Sequence, residues 1–230
     1  MLTESQQNKF NRLSEILRKE NQTHNLTRIT DPEEIQQRHF VDSLVAVDII
    51  NKLAPQIEKP RIIDIGSGAG FPGLALAIAM PQIELTSVEA TGKKINFQKQ
   101  TASELELTNV TAIHARAEEL ATALRHREQY DFAVSRAVAD LAILSELCLP
   151  FVEPGGYFLA WKGQKAQQEI DNAKKAIRIL GGEISQITPY ALDENASDSN
   201  LQIVVIRKIT PTPKKYPRPF KEIKQKPLGM

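Results

Sequence analysis

The stretch Ile62-Ile63-Asp64-Ile65-Gly66-Ser67-Gly68-Ala69-Gly70-Phe71-Pro72-Gly73 decides the fold. An apolar run carrying one acid enters a turn with glycines at alternate positions, and an apolar helical pattern follows. Glycine permits positive φ and lets the backbone approach a ligand with no Cβ in the way. The next helix is expected to aim its first N–H groups at that ligand. This is the pattern of a nucleotide-type cofactor loop at the first strand-to-helix turn of an α/β sheet.

Outward from this loop, strands alternate with helices, which favours a parallel sheet covered on both faces. Strands are expected at 61–65, 84–89, 110–114, 131–135, 156–161, 183–190 and 201–207, with helices at 72–80, 92–107, 116–126, 139–149 and 165–180. Only the polar loop from Asp193 to Asn200 separates the last two strands, so they should pair as an antiparallel hairpin. A seven-stranded, mostly parallel sheet closed by a reversed hairpin is the arrangement of α/β class I (Rossmann-like) methyltransferases more than of dinucleotide dehydrogenases. Before the sheet, Thr3 and Gln6 are spaced as a capping box for a helix over 3–20, and Asp31-Pro32-Glu33-Glu34 starts a second helix that should reach Leu53. The expected organisation is a helical extension (1–55), a cofactor-binding domain (56–208) and a tail (209–230).

Asp64 stands two residues before the first glycine, where an acid would repel a pyrophosphate but suit a cofactor carrying ammonium and sulfonium charges. With Gly66, Gly68 and Gly70 it points to S-adenosylmethionine rather than to NAD. Glu89 ends the second strand 19 residues beyond Gly70, where a carboxylate accepts both ribose hydroxyls of an adenosine. Ala117-Glu118-Glu119 follows the third strand, making Glu118 a candidate contact. Ser135-Arg136-Ala137 follows the fourth, so Arg136 should reach the cofactor or the substrate as a positioning residue.

What is missing from the chain narrows the reaction. No (Asp/Asn)-Pro-Pro-aromatic string follows the fourth strand, as amine methylation would favour, and the single cysteine, Cys148, sits in a core-like helical pattern. An acceptor atom with a free lone pair, such as guanine N7, needs no general base, only alignment. His39, Asp42 and Ser43 share one side of a helix but cannot form a hydrolase triad there.

The formal net charge of +1 hides an asymmetry. Residues 207–230 hold eight basic side chains and one acid, leaving 21 basic and 27 acidic residues in the remainder, a net of −6. That points to a polyanionic partner, nucleic acid first. Lys214, Lys215, Tyr216 and Arg218 interleave cations with an aromatic ring in a tail of five prolines, expected to be extended and to bind RNA. Its removal is expected to weaken RNA binding and spare the cofactor. No apolar run approaches the roughly 20 residues of a membrane span, no secretory leader is evident, and no metal-ligand spacing occurs. The expected setting is the cytoplasm, with no metal and no membrane partner.

The strings Asn25-Leu26-Thr27, Arg38-His39-Phe40-Val41-Asp42-Ser43-Leu44, Asp64 to Gly73, Ser135-Arg136-Ala137, Leu159 to Gly163 and Lys214-Lys215-Tyr216-Pro217-Arg218 together resemble the RsmG family, also called glucose-inhibited division protein B. These are bacterial small-subunit ribosomal RNA methyltransferases, and the likeness covers nearly the whole chain. It implies transfer of a methyl group from S-adenosylmethionine to N7 of a guanine in 16S ribosomal RNA. The expected partner is that RNA or a small-subunit assembly intermediate, and the expected form is a monomer. The likeness further implies cofactor contacts from Gly66, Phe71, Glu89, Ala90, Thr91, Ala117, Glu118 and Arg136. The chain departs from the family pattern after Arg218, at Pro219-Phe220-Lys221-Glu222-Ile223, and lacks a tryptophan between Asn21 and His24. The other readings are a methyltransferase of the same fold acting on another RNA or a small molecule, an NAD-dependent oxidoreductase, and an RNA-binding protein with a vestigial pocket.

Overall fold

The computed structural model of the chain describes residues 2–136, 139–192 and 200–229. Seven strands form one sheet in the order β3-β2-β1-β4-β5-β7-β6. They are β1 (Arg61–Ile65), β2 (Glu84–Glu89), β3 (Val110–His114), β4 (Tyr130–Arg136), β5 (Val152–Lys162), β6 (Gly182–Tyr190) and β7 (Leu201–Lys208). The first five run parallel, while β7 pairs antiparallel with both β5 and β6. The reversed hairpin expected from sequence is therefore present, although residues 193–199 of its connecting loop, like Ala137, lie outside the described residues.

The helical lead-in explains how the glycine loop is held. Helix α1 (Glu4–His24) is closed at its start by the Thr3–Gln6 capping box and at its end by Asn25 in the left-handed region (φ 48°). Its stripe of Phe10, Leu13, Ile16 and Leu17 packs with Phe71, Leu74, Ile78 and Phe97. These last belong to the turn after β1, to α4 (Gly73–Ala79) and to α5 (Gly92–Glu104). Each fully buried Leu or Phe contributes about 1.5–3 kcal/mol, so α1 clamps the loop and both flanking helices from outside.

The second helix is not uniform. Asp31 caps α2 (Pro32–Ile35) as expected, its Oδ1 accepting the N–H groups of Glu33 and Glu34 at 2.9 and 3.0 Å. A π-helical turn, Gln36–Val41, then precedes α3 (Asp42–Leu53). Such a turn inserts a residue and re-aims the side chains around it. Helix α3 and α4 cover one face of the sheet over Ile62, Phe132, Val134, Leu159 and Trp161. On the other face α7 (Leu141–Cys148) and α8 (Ala166–Ile179) cover Ile63, Ala133, Phe158 and Val204, and Cys148 is core there, as expected.

Three sequence expectations are corrected. The helix expected over 116–126 is only α6 (Ala117–Leu120), followed by turns. Strand β5 begins at Val152 and includes Gly155 and Gly156, with a register shift against β4, instead of spanning only 156–161. The tail is not an extended arm. It folds back, places Tyr216 and Ile223 in the core and forms α9 (Phe220–Gln225). Arg127 holds it through the carbonyls of Thr212 and Tyr216 at 2.8 and 2.9 Å, and the fully buried Glu146 carboxylate grips the Arg218 guanidinium at 2.6 and 2.8 Å. Proline stretches the chain locally but does not prevent this long-range packing. Among the described residues no helix is long and apolar enough to cross a membrane.

Candidate functional site

The glycine loop forms the floor of a cleft of about 400 Å³ at the carboxyl ends of β1, β2 and β4. Gly66, Gly68 and Gly70 all have positive φ, at 69°, 58° and 93°. A Cβ on Gly70 would lie 2.4 Å from Leu74 Cδ1, whereas one on Gly68 would meet only Gly66 O at 3.9 Å. Gly70 is thus needed for packing beneath the loop, and Gly68 keeps the cleft floor bare. Gln98 of α5, fully buried, braces the loop by donating to Ser67 Oγ at 2.7 Å and to Gly68 O at 2.9 Å.

Most amide donors of the loop are spent within the protein, contrary to the expectation from sequence; of residues 66–71 the Ala69 N–H alone has no protein partner among the described residues. Gly66 and Ser67 donate to Val88 O, and Gly70 and Phe71 to Ser67 O. Gly68 N–H donates to Glu89 Oε2 at 3.0 Å, Gly73 N–H to Asp64 Oδ2 at 2.8 Å, and Leu74 N–H to Gly70 O at 2.7 Å. A pyrophosphate cradle needs such donors unspent.

Asp64 does not line the cleft; it lies fully buried below the loop as the anchor of the first residue of α4. Burial pushes its carboxyl up to about 7, against the lowering by the Gly73 hydrogen bond and by Arg136. Its Oδ1 and the Ser87 Oγ of the residue paired with it on β2 have no hydrogen-bond partner. Asp64 therefore shapes the loop from beneath, and its side chain is not among those lining the cleft.

Glu89 does reach the cleft. Its carboxylate accepts from Gly68 N–H and, at 2.9 Å, from Thr91 N–H at the start of α5. A carboxylate has about four acceptor sites, so two remain for the vicinal hydroxyls of a ribose. Ala90, Ala117, Glu118, Lys94 and Arg116 complete that end, while Phe71, His39 and Arg136 stand at the other. Gly70 and Thr91 are not among the lining residues and act through the backbone.

Arg136 sits where the first cleft meets a second one of about 980 Å³. Its Nη1 donates to Asp42 Oδ2 at 2.6 Å and to Arg38 O at 2.8 Å, and Nη2 to His39 Nδ1 at 3.1 Å. Since His39 Nδ1 accepts, its Nε2 carries the proton and donates to Thr27 Oγ1 at 3.1 Å. The His39 ring stacks on Phe71 at 4.6 Å and is held neutral, its pKa lowered to about 4 by burial and then by Arg136. Asp42 also accepts from the Tyr190 hydroxyl through its side chain and from Trp161 Nε1 through its carbonyl at 2.9 Å. The motifs Asn25-Leu26-Thr27 and Arg38 to Leu44, unexplained by their own spacing, thus converge on Arg136. Arg136 lines both clefts as expected of a residue that reaches the ligand side, with Nη1 and Nη2 already donating to protein acceptors.

The second cleft carries six carboxylate residues (Asp31, Glu33, Glu34, Asp42, Asp140 and Glu169) against Arg38, Arg136 and Lys162. Of the tail candidates, Lys214 and Lys215 are exposed, but Tyr216 is buried and Arg218 is spent on Glu146, so neither is placed to stack on a base or pair with a phosphate. Phe220 of the same tail lines the first cleft, which sequence reading missed; the tail forms part of this site. Among the described residues no cluster of His, Cys, Asp or Glu could hold a metal ion.

The family model described as "rRNA small subunit methyltransferase G" matches residues 6–197. The "Ribosomal RNA small subunit methyltransferase G" of Clostridium botulinum (strain 657 / Type Ba4) is 44% identical over 221 residues, covering 96% of this chain and 90% of its own length. The protein of the same name from Alkaliphilus oremlandii is 41% identical over 227 residues, covering 99% and 92%. Among solved structures, M. jannaschii TYW2 in complex with AdoMet superposes with a TM-score of 0.54 at 14% identity, covering 71% of this chain and 76% of that one. A putative S-adenosyl-L-methionine-dependent methyltransferase from Methanococcus maripaludis gives 0.56 at 16%, covering 77% and 90%. At such identities these two likenesses establish the fold.

Proposed function

Because the chain belongs to the rRNA small subunit methyltransferase G family, and is thus an S-adenosylmethionine-dependent rRNA methyltransferase, we propose that its acceptor is N7 of a guanine in 16S ribosomal RNA. When bound, S-adenosylmethionine supplies an electrophilic methyl group on a sulfonium. The first cleft suits its other parts: Glu89 has acceptor sites for the ribose, the bare Gly66–Gly68 backbone admits close approach, and Ala117 and Glu118 stand where an adenine would lie. The second cleft suits a guanine, whose Watson–Crick edge is rich in N–H donors that carboxylates accept.

One observation carries the choice of atom. His39 and Arg136, the residues shared by the two clefts, include no group poised to take a proton. Both nitrogens of His39 are engaged, and Arg136 is a cation paired with Asp42. Guanine N7 has a lone pair and no proton to lose, so the residues need only align it with the methyl–sulfur bond and exclude water. His39, stacked on Phe71 and locked to Arg136, is a positioning residue for that alignment.

Mass mapping of 16S rRNA from a strain lacking the gene tests this choice. Loss of one N7-methylguanosine is expected; an unchanged set of N7-methylguanosines would transfer the activity to another RNA or to a small molecule. The spent amide donors of the loop speak against a dinucleotide. Calorimetry should accordingly detect S-adenosylhomocysteine and not NAD.

A further inference from the structure

The first cleft has a second neighbour. It shares Leu26, Thr27 and Lys94 with a groove of about 850 Å³ between the end of α1, the link over 25–30 and the start of α5. Arg18, Arg28 and Lys94 line this groove and no carboxylate residue does. Among the described residues none of these three cations makes an ion pair. Most Lys and Arg of the chain are likewise unpaired, so the sign of this groove rests on the absence of any carboxylate from its lining. Gln22, Asn21 and Asn25 add amides, and the Asn21 oxygen is already bound by Thr27 N–H at 2.9 Å, so its N–H groups are what it can offer.

The two neighbours of the first cleft therefore differ in sign. The acceptor cleft is rich in carboxylates, which welcome a base edge and repel a phosphate; the groove beside Thr27 does the reverse. N7 of a guanine within an A-form helix faces a deep, narrow groove that side chains do not enter, so the acceptor must be presented by a non-helical segment. Such a segment needs a cationic track for its backbone close to the point of transfer.

We propose that this groove holds the phosphodiester backbone of the single-stranded rRNA flanking the target guanine, with Arg18 and Arg28 as sequence-independent phosphate contacts. The proposal rests on the chain's role as an rRNA methyltransferase, and it moves the main RNA contact from the C-terminal tail to the N-terminal helical lead-in.

Filter binding of unmodified 16S rRNA transcript across a salt series tests it on three proteins: the unmodified chain, Arg18→Ala/Arg28→Ala and Lys214→Ala/Lys215→Ala. Loss of two phosphate contacts should flatten the slope of log affinity against log salt by roughly 1.4 and weaken binding roughly tenfold at moderate salt. The tail variant should change less. Both variants should melt and bind S-adenosylhomocysteine as the unmodified chain does, and Arg18→Lys/Arg28→Lys should restore the slope. An Arg18→Ala/Arg28→Ala protein with unchanged RNA affinity and slope overturns the groove and leaves the methyltransferase intact. An unmodified chain that binds S-adenosylhomocysteine but no 16S rRNA overturns the RNA substrate itself, and the groove with it.

Discussion

Replacing Asp64 by asparagine removes a charge whose burial costs more as the pH rises. In the native chain the Asp64 carboxyl is pushed up to about 7, from an ordinary 3.8, with desolvation the main cause. The native state therefore binds more protons than the unfolded chain between those values, and stability falls as pH rises through this window. The full interval, at ~1.4 kcal/mol per pH unit, is about 4 kcal/mol, lost by about pH 8. Near pH 5 the native carboxyl is protonated and the unfolded one mostly ionised, so about 1.7 kcal/mol is already lost. Asparagine keeps an acceptor for the Gly73 N–H, now bound at 2.8 Å, and carries no titration. The stability of Asp64→Asn relative to the parent should rise by about 2.5 kcal/mol between pH 5 and pH 8. Urea unfolding of the cofactor-free proteins at both pH values measures this. A difference between variant and parent that is the same at both refutes the placement of Asp64 as a desolvated anchor.

Gly70→Ala should destabilise the chain by about 2–4 kcal/mol, because its Cβ would sit 2.4 Å from Leu74 Cδ1 at a φ of 93°; a melting temperature equal to the parent's contradicts this. Asp42→Asn leaves the nearly buried Arg136 without its counter-charge, a loss of about 3 kcal/mol. Steady-state kinetics should show kcat falling more than the cofactor KM rises, and a pure KM effect would remove the positioning role from this network. Truncation of 211–230 removes Phe220 from the cleft and strands the buried Glu146 carboxylate. It should weaken S-adenosylhomocysteine binding as well as stability, and calorimetry giving the parent's affinity would show the tail to be dispensable to the site.

Much of the site was legible because it is local in sequence. The spacing of Gly66, Gly68 and Gly70, and the acid ending β2, report a strand-to-helix turn and a strand end. The role of Asp64 was not legible. In a strand covered on both faces, apolar residues flank it on either side, and nothing in the pattern says that it faces α4 instead of the cleft. The same limit hid the network around Arg136, whose partners Arg38, His39 and Asp42 lie 94 to 98 residues away in sequence. Its alignment further depends on a π-helical turn that no residue type marks. The tail misled for a related reason: its prolines report extended backbone, while the pairing of Arg218 with Glu146 spans 72 residues. Phe220, at a departure from the family pattern, could have been suspected as a residue placed for a purpose of its own.

Methyl transfer itself is the most direct test. The purified chain should be incubated with unmethylated 16S rRNA and S-adenosylmethionine carrying a labelled methyl group, and the RNA then digested to nucleosides. Label recovered as 7-methylguanosine, approaching one methyl per RNA, is the predicted result. Label on any other nucleoside, or none, would contradict guanine N7 as the acceptor.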